Sequence, residues 1–296
     1  MKRLQAFKFE LMPNGEQARA MRRFAGACRF VFNKALALQI ANYESGNKFI
    51  GYEDMAKLMT QWRNCTETSW LKDAPVHPLQ HALKDLDRAY QSFFKKRAMF
   101  PRFKRKGSTQ SFRYPDAKQF ELDQTNSRIK LPKLGWVHYR KSRDSLGTPK
   151  NITISNSGGK WFTSIQTERE ADAPIHARPD TAIGIDLGAR LSGAFASFSD
   201  DTQISTVNAY RAAQCRLKRY QRAFSRKKSR SKNQAKACAK LNKAHASVAH
   251  IRKDFLHQLS TQLVQLHSII AIENLKVKEM TATPSSPRLK NKAILD

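Results

Sequence analysis

The sequence predicts an α+β chain of several domains. Three observations carry this: a long apolar stripe at helical spacing near the start, short alternating strands in the middle, and two buried strands near the end that each close on an acid. Its 296 residues suffice for two or three units, each with its own core.

Residues 3–11 read as a strand in which Leu4 and Ala6 alternate with charged or polar neighbours. Pro13 breaks it, and Asn14 with Gln17 forms a helix-capping pair. Met21, Phe24, Cys28, Val31, Ala35 and Leu38 then recur at steps of three and four as one buried stripe. A second helix is expected over Tyr52–Arg63. A third starts near Pro78, with Leu79, Leu83, Leu86, Tyr90 and Phe93 on one face, which completes a helical module over 13–98.

Residues 99–170 change character. A basic, aromatic loop, Phe100–Lys106, leads into short alternating stretches. Asn151–Ser155 and Trp161–Thr167 flank Asn156-Ser157-Gly158-Gly159, a hairpin signal. These stretches read as the strands of a small β-barrel. Ala171–Pro179 reads as a linker. Strands follow at Ala182–Leu187, Gly193–Ser199 and near Gln203–Val207. A hairpin of two basic helices, broken near Ser229–Asn233, comes next. A further helix is expected to bury Ile251, Phe255, Leu259, Leu263 and Leu266, before a strand at Ser268–Ile272.

The chain carries 54 Lys+Arg against 24 Asp+Glu, a formal charge of +30. Such an excess repels itself in the compact state, and a polyanionic partner is the simplest reason to keep it. No apolar run approaches a membrane span and no secretory leader is visible, so a cytosolic location, or a nuclear one in a nucleated cell, without membrane contact is expected. Cys28, Cys65, Cys215 and Cys238 form no CxxC pair, so no zinc site is expected, and Cys28 reads as packing.

Two segments concentrate the charge. Seven of the twelve residues in Lys95–Lys106 are Lys or Arg, with Arg102, Lys104 and Arg105 the candidate phosphate contacts. Phe100 and Phe103 either stack on unpaired bases or plug the barrel. Residues 211–256 hold 15 Lys+Arg and one acid, Asp254, so little of their charge has an internal use. Arg219, Arg226, Lys227 and Lys228 are the candidates there.

Asp186 lies in Ile183-Gly184-Ile185-Asp186-Leu187-Gly188, and Glu273 ends Ile269-Ile270-Ala271-Ile272. An acid closing each of two neighbouring buried strands is how ribonuclease-H-like folds hold divalent metals for phosphodiester cleavage. The Gly-Ile-Asp-Leu-Gly run also resembles the first phosphate loop of actin-like ATPases. That reading needs a later Asp-Gly-Gly loop, which the sequence lacks, and leaves the charge unexplained.

Together these residues resemble the TnpB family of transposon-encoded RNA-guided nucleases. The marks are Leu11-Met12-Pro13-Asn14, Ala27–Asn33, Ala89–Phe94, Phe100–Lys104, Leu131–Trp136, Gly184–Gly188, Leu217–Lys228, Asp254–His257 and Ile272–Leu275. The resemblance implies a wedge-like β-barrel (1–12 and 99–172) with the helical recognition module inserted, then a RuvC-like, ribonuclease-H-like α/β domain over 180–296 with a basic helical hairpin over 208–266. It implies a guide RNA, a double-stranded DNA target and a monomer. Tyr52, His77 and Gln80, with Lys84, fall where the family reads a short motif beside the target, and Val76, where a relative carries Lys, suggests a different motif. Asp186 and Glu273 take the family's catalytic positions.

The sequence also departs from the family. The zinc ribbon, the last strand and helix of the RuvC fold, and a third catalytic Asp are not found, and Asp296 matches a non-catalytic position. Asn274 stands where relatives often have Asp or His. The expectation is a truncated RuvC-like domain, a dead nuclease, no required cofactor beyond guide RNA, and at most vestigial Mg²⁺ binding. Three readings stay open: an RNA-guided repressor like the nuclease-dead TnpB-like repressors (TldR), an RNA-guided endonuclease whose tail was trimmed or is supplied in trans, and a decayed remnant that binds RNA non-specifically.

Overall fold

A computed structural model describes residues 1–106, 110–172, 178–187, 194–205 and 207–274. The chain forms two compact units, Met1–Asp172 and Ala173–Asp296.

In the first unit, β1 (Lys2–Met12) runs into α1 (Gly15–Glu44), α2 (Tyr52–Asn64), a 3-10 helix (Thr66–Asp73) and α3 (Val76–Phe94). Six strands follow: β2 (Gln110–Tyr114), β3 (Glu121–Asp123), β4 (Arg128–Leu131), β5 (Gly135–Arg140), β6 (Thr148–Ser157) and β7 (Lys160–Glu170). The sheet order is β2-β6-β7-β1-β5-β4-β3. β1 is central, antiparallel to β7 from Lys2↔Glu170 to Leu11↔Trp161, and paired with β5 at its end. The three helices are therefore an insertion between β1 and the strands it pairs with.

The expected barrel is a curled half-barrel among the described residues, one seven-stranded sheet left open with β2 and β3 at its two ends. β3 has three residues, too short a ladder to close on. The alternation along β1 also differs from the expectation. Phe7, Phe9 and Leu11 enter the core, whereas Leu4 and Ala6 face out. A strand's two faces differ by one position, and the ring-bearing face is the one that buries more apolar area.

Asn14 caps α1 as expected. Its Oδ1 accepts from the Gln17 N–H at 2.8 Å, and its own N–H donates to Gln17 Oε1 at 3.1 Å. Gln17 Nε2 also donates to the carbonyls of Leu134 (3.2 Å) and Trp136 (2.8 Å), which fastens the helix start to the β4–β5 turn. Met21, Phe24, Cys28, Val31 and Ala35 are buried, and the stripe ends on Leu36 and Gln39 while Leu38 is half-buried. Leu79, Leu83, Leu86 and Tyr90 of α3 meet them in one core that also includes the sheet's inner face. The β6–β7 hairpin turns on Gly158 and Gly159, with φ of 61° and 84°, a conformation that favours glycine at both positions.

In the second unit, β8 (Ala182–Leu187), β9 (Ala194–Phe198) and β10 (Gln203–Ser205) form an antiparallel meander. Two helices, α4 (Ala209–Ser225) and α5 (Lys232–Leu266), then return the chain to β11 (Ile269–Ile272), parallel to β8. Residues 173–177 of the expected linker and 275–296 lie outside the described residues.

The second helix of the expected hairpin and the helix after it are one element, α5. Ser231 caps it, accepting from the Gln234 N–H at 3.0 Å, and no Gly or Pro interrupts residues 232–266. Leu241, Ala244 and Val248 pack on Ala209, Ala213 and Leu217 of α4. Leu259, with Phe255 and Leu263, packs on the sheet. Ile251 and Leu266, expected in the core, are exposed, because each partner covers one side of the long helix over part of its length. No helix among the described residues is long and apolar enough to cross a membrane.

Candidate nucleic-acid interface

Helical geometry assembles the first group of candidates. His77, Gln80 and Lys84 follow at steps of three and four, so they share one side of α3. Tyr52 opens α2 from the glycine at position 51, and the Lys84 ammonium lies 5.1 Å from the centre of its ring. Burial holds the Tyr52 hydroxyl above its ordinary range, so it remains a neutral donor. His77 and Lys84 are exposed and Gln80 half-exposed, which leaves their polar ends open to a ligand. The structure thus brings these four positions together.

The loop after α3 is fixed to α1. The Asn33 side chain donates to the Lys104 carbonyl at 2.9 Å and accepts from its N–H at 2.8 Å. The Lys104 ammonium sits 3.9 Å from the centre of the Phe32 ring. Burial depresses its pKa, against the opposing pull of Asp85 and Cys28. Lys104 therefore anchors the loop through its backbone, and Arg102, Lys104 and Arg105 are all exposed. Neither aromatic plugs the barrel: Phe100 packs edge-on against Tyr90 and Phe93 of α3, and Phe103 is 52% exposed.

The loop's path exposes a cluster that sequence reasoning missed. Arg19, Arg22, Arg23 and Arg29 of α1 line one cleft with Lys106. The signal is present in the sequence, since these arginines sit at helical spacing opposite the apolar stripe.

In the second unit, Arg219 is exposed on α4 beside the ring of Tyr220, Arg226 caps the helix, and Lys227 and Lys228 occupy the exposed turn into α5. Asp254, the one acid of residues 211–256, accepts a hydrogen bond from Gln258 at 3.0 Å.

The acid pair is set by strand register. Ile185 of β8 lies opposite Ile272 of the parallel β11, so Asp186 is the next residue of β8 and Glu273 directly follows β11. Both are exposed and line one shallow cleft with Ser197 and Ser199. Adjacent carboxylates of this kind are a fitting donor set for one divalent cation. Among the described residues, however, no group of three or more acidic, histidine or cysteine side chains is placed to hold a metal.

Comparison with known proteins places the chain in context. Residues 164–283 match OrfB_IS605, described as "Probable transposase", and residues 1–48 match HTH_OrfB_IS605, described as "Helix-turn-helix domain". The latter residues form a strand and one long helix here. The chain is 52% identical over 282 residues to "Putative RNA-guided DNA endonuclease InsQ" of Escherichia coli K12, covering 95% of this chain and 68% of the relative. It is 31% identical over 280 residues to a "Putative RNA-guided DNA endonuclease" of Streptomyces pristinaespiralis, covering 93% and 68%. A Mycobacterium tuberculosis protein described in the same words is 24% identical over 327 residues, covering 99% and 71%.

Proposed function

The chain belongs to the TnpB family of transposon-encoded proteins, and we propose that it binds a guide RNA and, through pairing by that RNA, a DNA duplex beside a short motif. The observation that carries this reading is the α4–α5 hairpin, with 15 cations against one acid that already bonds to a neutral glutamine. Lys and Arg contacts to phosphate release counterions and supply affinity without regard to sequence. Sequence is then read by base pairing, while protein reads the adjacent motif. Tyr52, His77, Gln80 and Lys84 are the motif-reading group: three hydrogen-bonding side chains and one cation on one face. Arg102, Lys104, Arg105, Arg219, Arg226, Lys227 and Lys228 are phosphate contacts. The wedge and RuvC-like domain names fit the open sheet of the first unit and the mixed sheet of the second.

Asp186 and Glu273 would hold the divalent ion that relatives of this description imply, and such an ion polarises a phosphate and activates water when bound. The description of the relatives fits the endonuclease reading, in which Asp186 and Glu273 take part in cleavage; binding without cleavage is the second reading. A bound, uncut target inside a promoter excludes polymerase, which is a repressor's action.

Sequencing the RNA that copurifies with the chain tests the proposal. The expected result is one RNA species whose 3′ end matches a DNA target, and a random sample of cellular RNA, or none, contradicts it. Magnesium-dependent cutting of a supercoiled target by the guide-loaded chain would replace the binding-only reading with the endonuclease reading. Asp186→Ala is expected to leave target binding unchanged.

A further inference from the structure

The outer face of α1 carries a groove to which no role has been given. Arg19, Arg22, Gly26, Arg29, Phe30 and Lys34 follow at helical steps and share the face opposite the buried stripe. A cavity of about 650 Å³ opens beside Gly26, Phe30 and Trp70, large enough for a nucleoside. Arg23 and Arg29 border both this cavity and the cleft lined by Arg19, Arg22 and Lys106, so the aromatic slot and the basic cleft adjoin. The acids lining the two are Glu16 and Asp73, and Asp73 lies 3.9 Å from Arg23. Charge complementarity therefore favours an anion.

The aromatic wall is built for a flat ring. Trp70 stands edge-on to Phe30 with ring centres 5.1 Å apart, and it is 43% exposed. The Lys34 ammonium lies 5.8 Å from the Phe30 ring and 4.9 Å from that of Trp62. Gly26 is the informative position. Glycine is a poor helix former, yet it stands inside a 30-residue helix. A Cβ there would meet only the Arg29 guanidinium, at 3.8 Å, so no neighbour inside the protein requires its absence. The space that Gly26 leaves belongs to the cavity.

We propose that this groove takes single-stranded RNA, with phosphates against Arg19, Arg22, Arg29 and Lys106 and one unstacked base in the slot between Gly26 and the Phe30–Trp70 pair. Bases stacked in a duplex cannot enter such a slot, whereas splayed bases of RNA loops and ends stack readily on aromatic side chains. The choice of RNA rests on the proposed function, since a guide supplies unpaired nucleotides before any DNA is opened. The requirement for an unstacked base rests on the groove alone.

The test titrates the full chain, stripped of copurifying nucleic acid, with labelled short oligouridylate, oligothymidylate of the same length, and an RNA duplex. Gly26→Leu, which fills the slot, and Trp70→Ala are each expected to weaken oligouridylate binding about tenfold, the loss of one base stack. Duplex binding should be unchanged, and Gly26→Leu should melt no lower than the parent because leucine favours helix. Trp70→Phe, which keeps a ring, should bind more tightly than Trp70→Ala. Unchanged oligouridylate affinity in folded Gly26→Leu overturns the proposal, and so does an equal loss of duplex binding, which would reduce the groove to a phosphate patch. Equal affinity of the parent for oligothymidylate overturns the assignment to RNA. No arm uses a guide or a target, so a chain that fails guided DNA binding would refute the proposed function and leave this result standing.

Discussion

At the scale of single residues, burial decides chemistry. Cys28 lies under α3 with its thiol donating to the Pro78 carbonyl at 3.4 Å, and burial pushes its pKa up to about 12. Cys65 and Cys215 are exposed. Alkylation of the native chain at mildly alkaline pH is therefore expected to label Cys65 and Cys215 and spare Cys28, as peptide mass mapping would show. Rapid labelling of Cys28 would mean that the helical core opens. The sequence placed Cys28 correctly because helix periodicity reports burial directly. The charge of Lys95–Lys106 makes Lys104 a phosphate candidate, but could not show that its backbone, through two hydrogen bonds to Asn33, also fastens the loop to α1.

At the scale of elements, caps and charge spacing yield separable outcomes. Asn14→Ala removes the side-chain half of the α1 capping box, the Oδ1 that accepts from the Gln17 N–H, and the loss is expected to be about 1 kcal/mol in urea denaturation. An unaltered midpoint would show that the Gln17 bonds to the β4–β5 turn hold the helix start alone. Reversing Arg226, Lys227 and Lys228 to Glu removes exposed cations from the α4–α5 turn without touching the Leu217–Leu241 core. Nucleic-acid binding should weaken, and the slope of log affinity against log salt should flatten by about one per lost phosphate contact. An unchanged slope would remove the hairpin from the interface. The two-helix reading of residues 211–256 was right as far as the turn, which Arg226 and Ser231 mark from either side. It failed beyond, because a change of composition from basic to apolar was read as a helix end when no breaker residue stands there.

At the scale of the whole molecule, the insertion of α1–α3 was legible only through the family resemblance. β1 pairs with β7 across most of the first unit's sequence, and local periodicity does not report so distant a partner. Closure of the sheet was illegible for the same reason, since it depends on how the edge strands β2 and β3 meet rather than on either strand's pattern. The acid pair was legible because Asp186 and Glu273 each end an apolar run, and parallel pairing of β8 with β11 does the rest. The Arg19–Lys34 face is not legible in the sequence, because a polar helix face looks like any solvated surface until tertiary structure sets Trp70 and Lys106 beside it.

The central claim is that this cationic scaffold takes its DNA specificity from the RNA it carries. Nuclease protection of a target duplex by the chain, loaded first with the matched guide and then with a scrambled one, tests that most directly. A footprint that follows the guide sequence is the predicted result. Equal protection with both guides would contradict it.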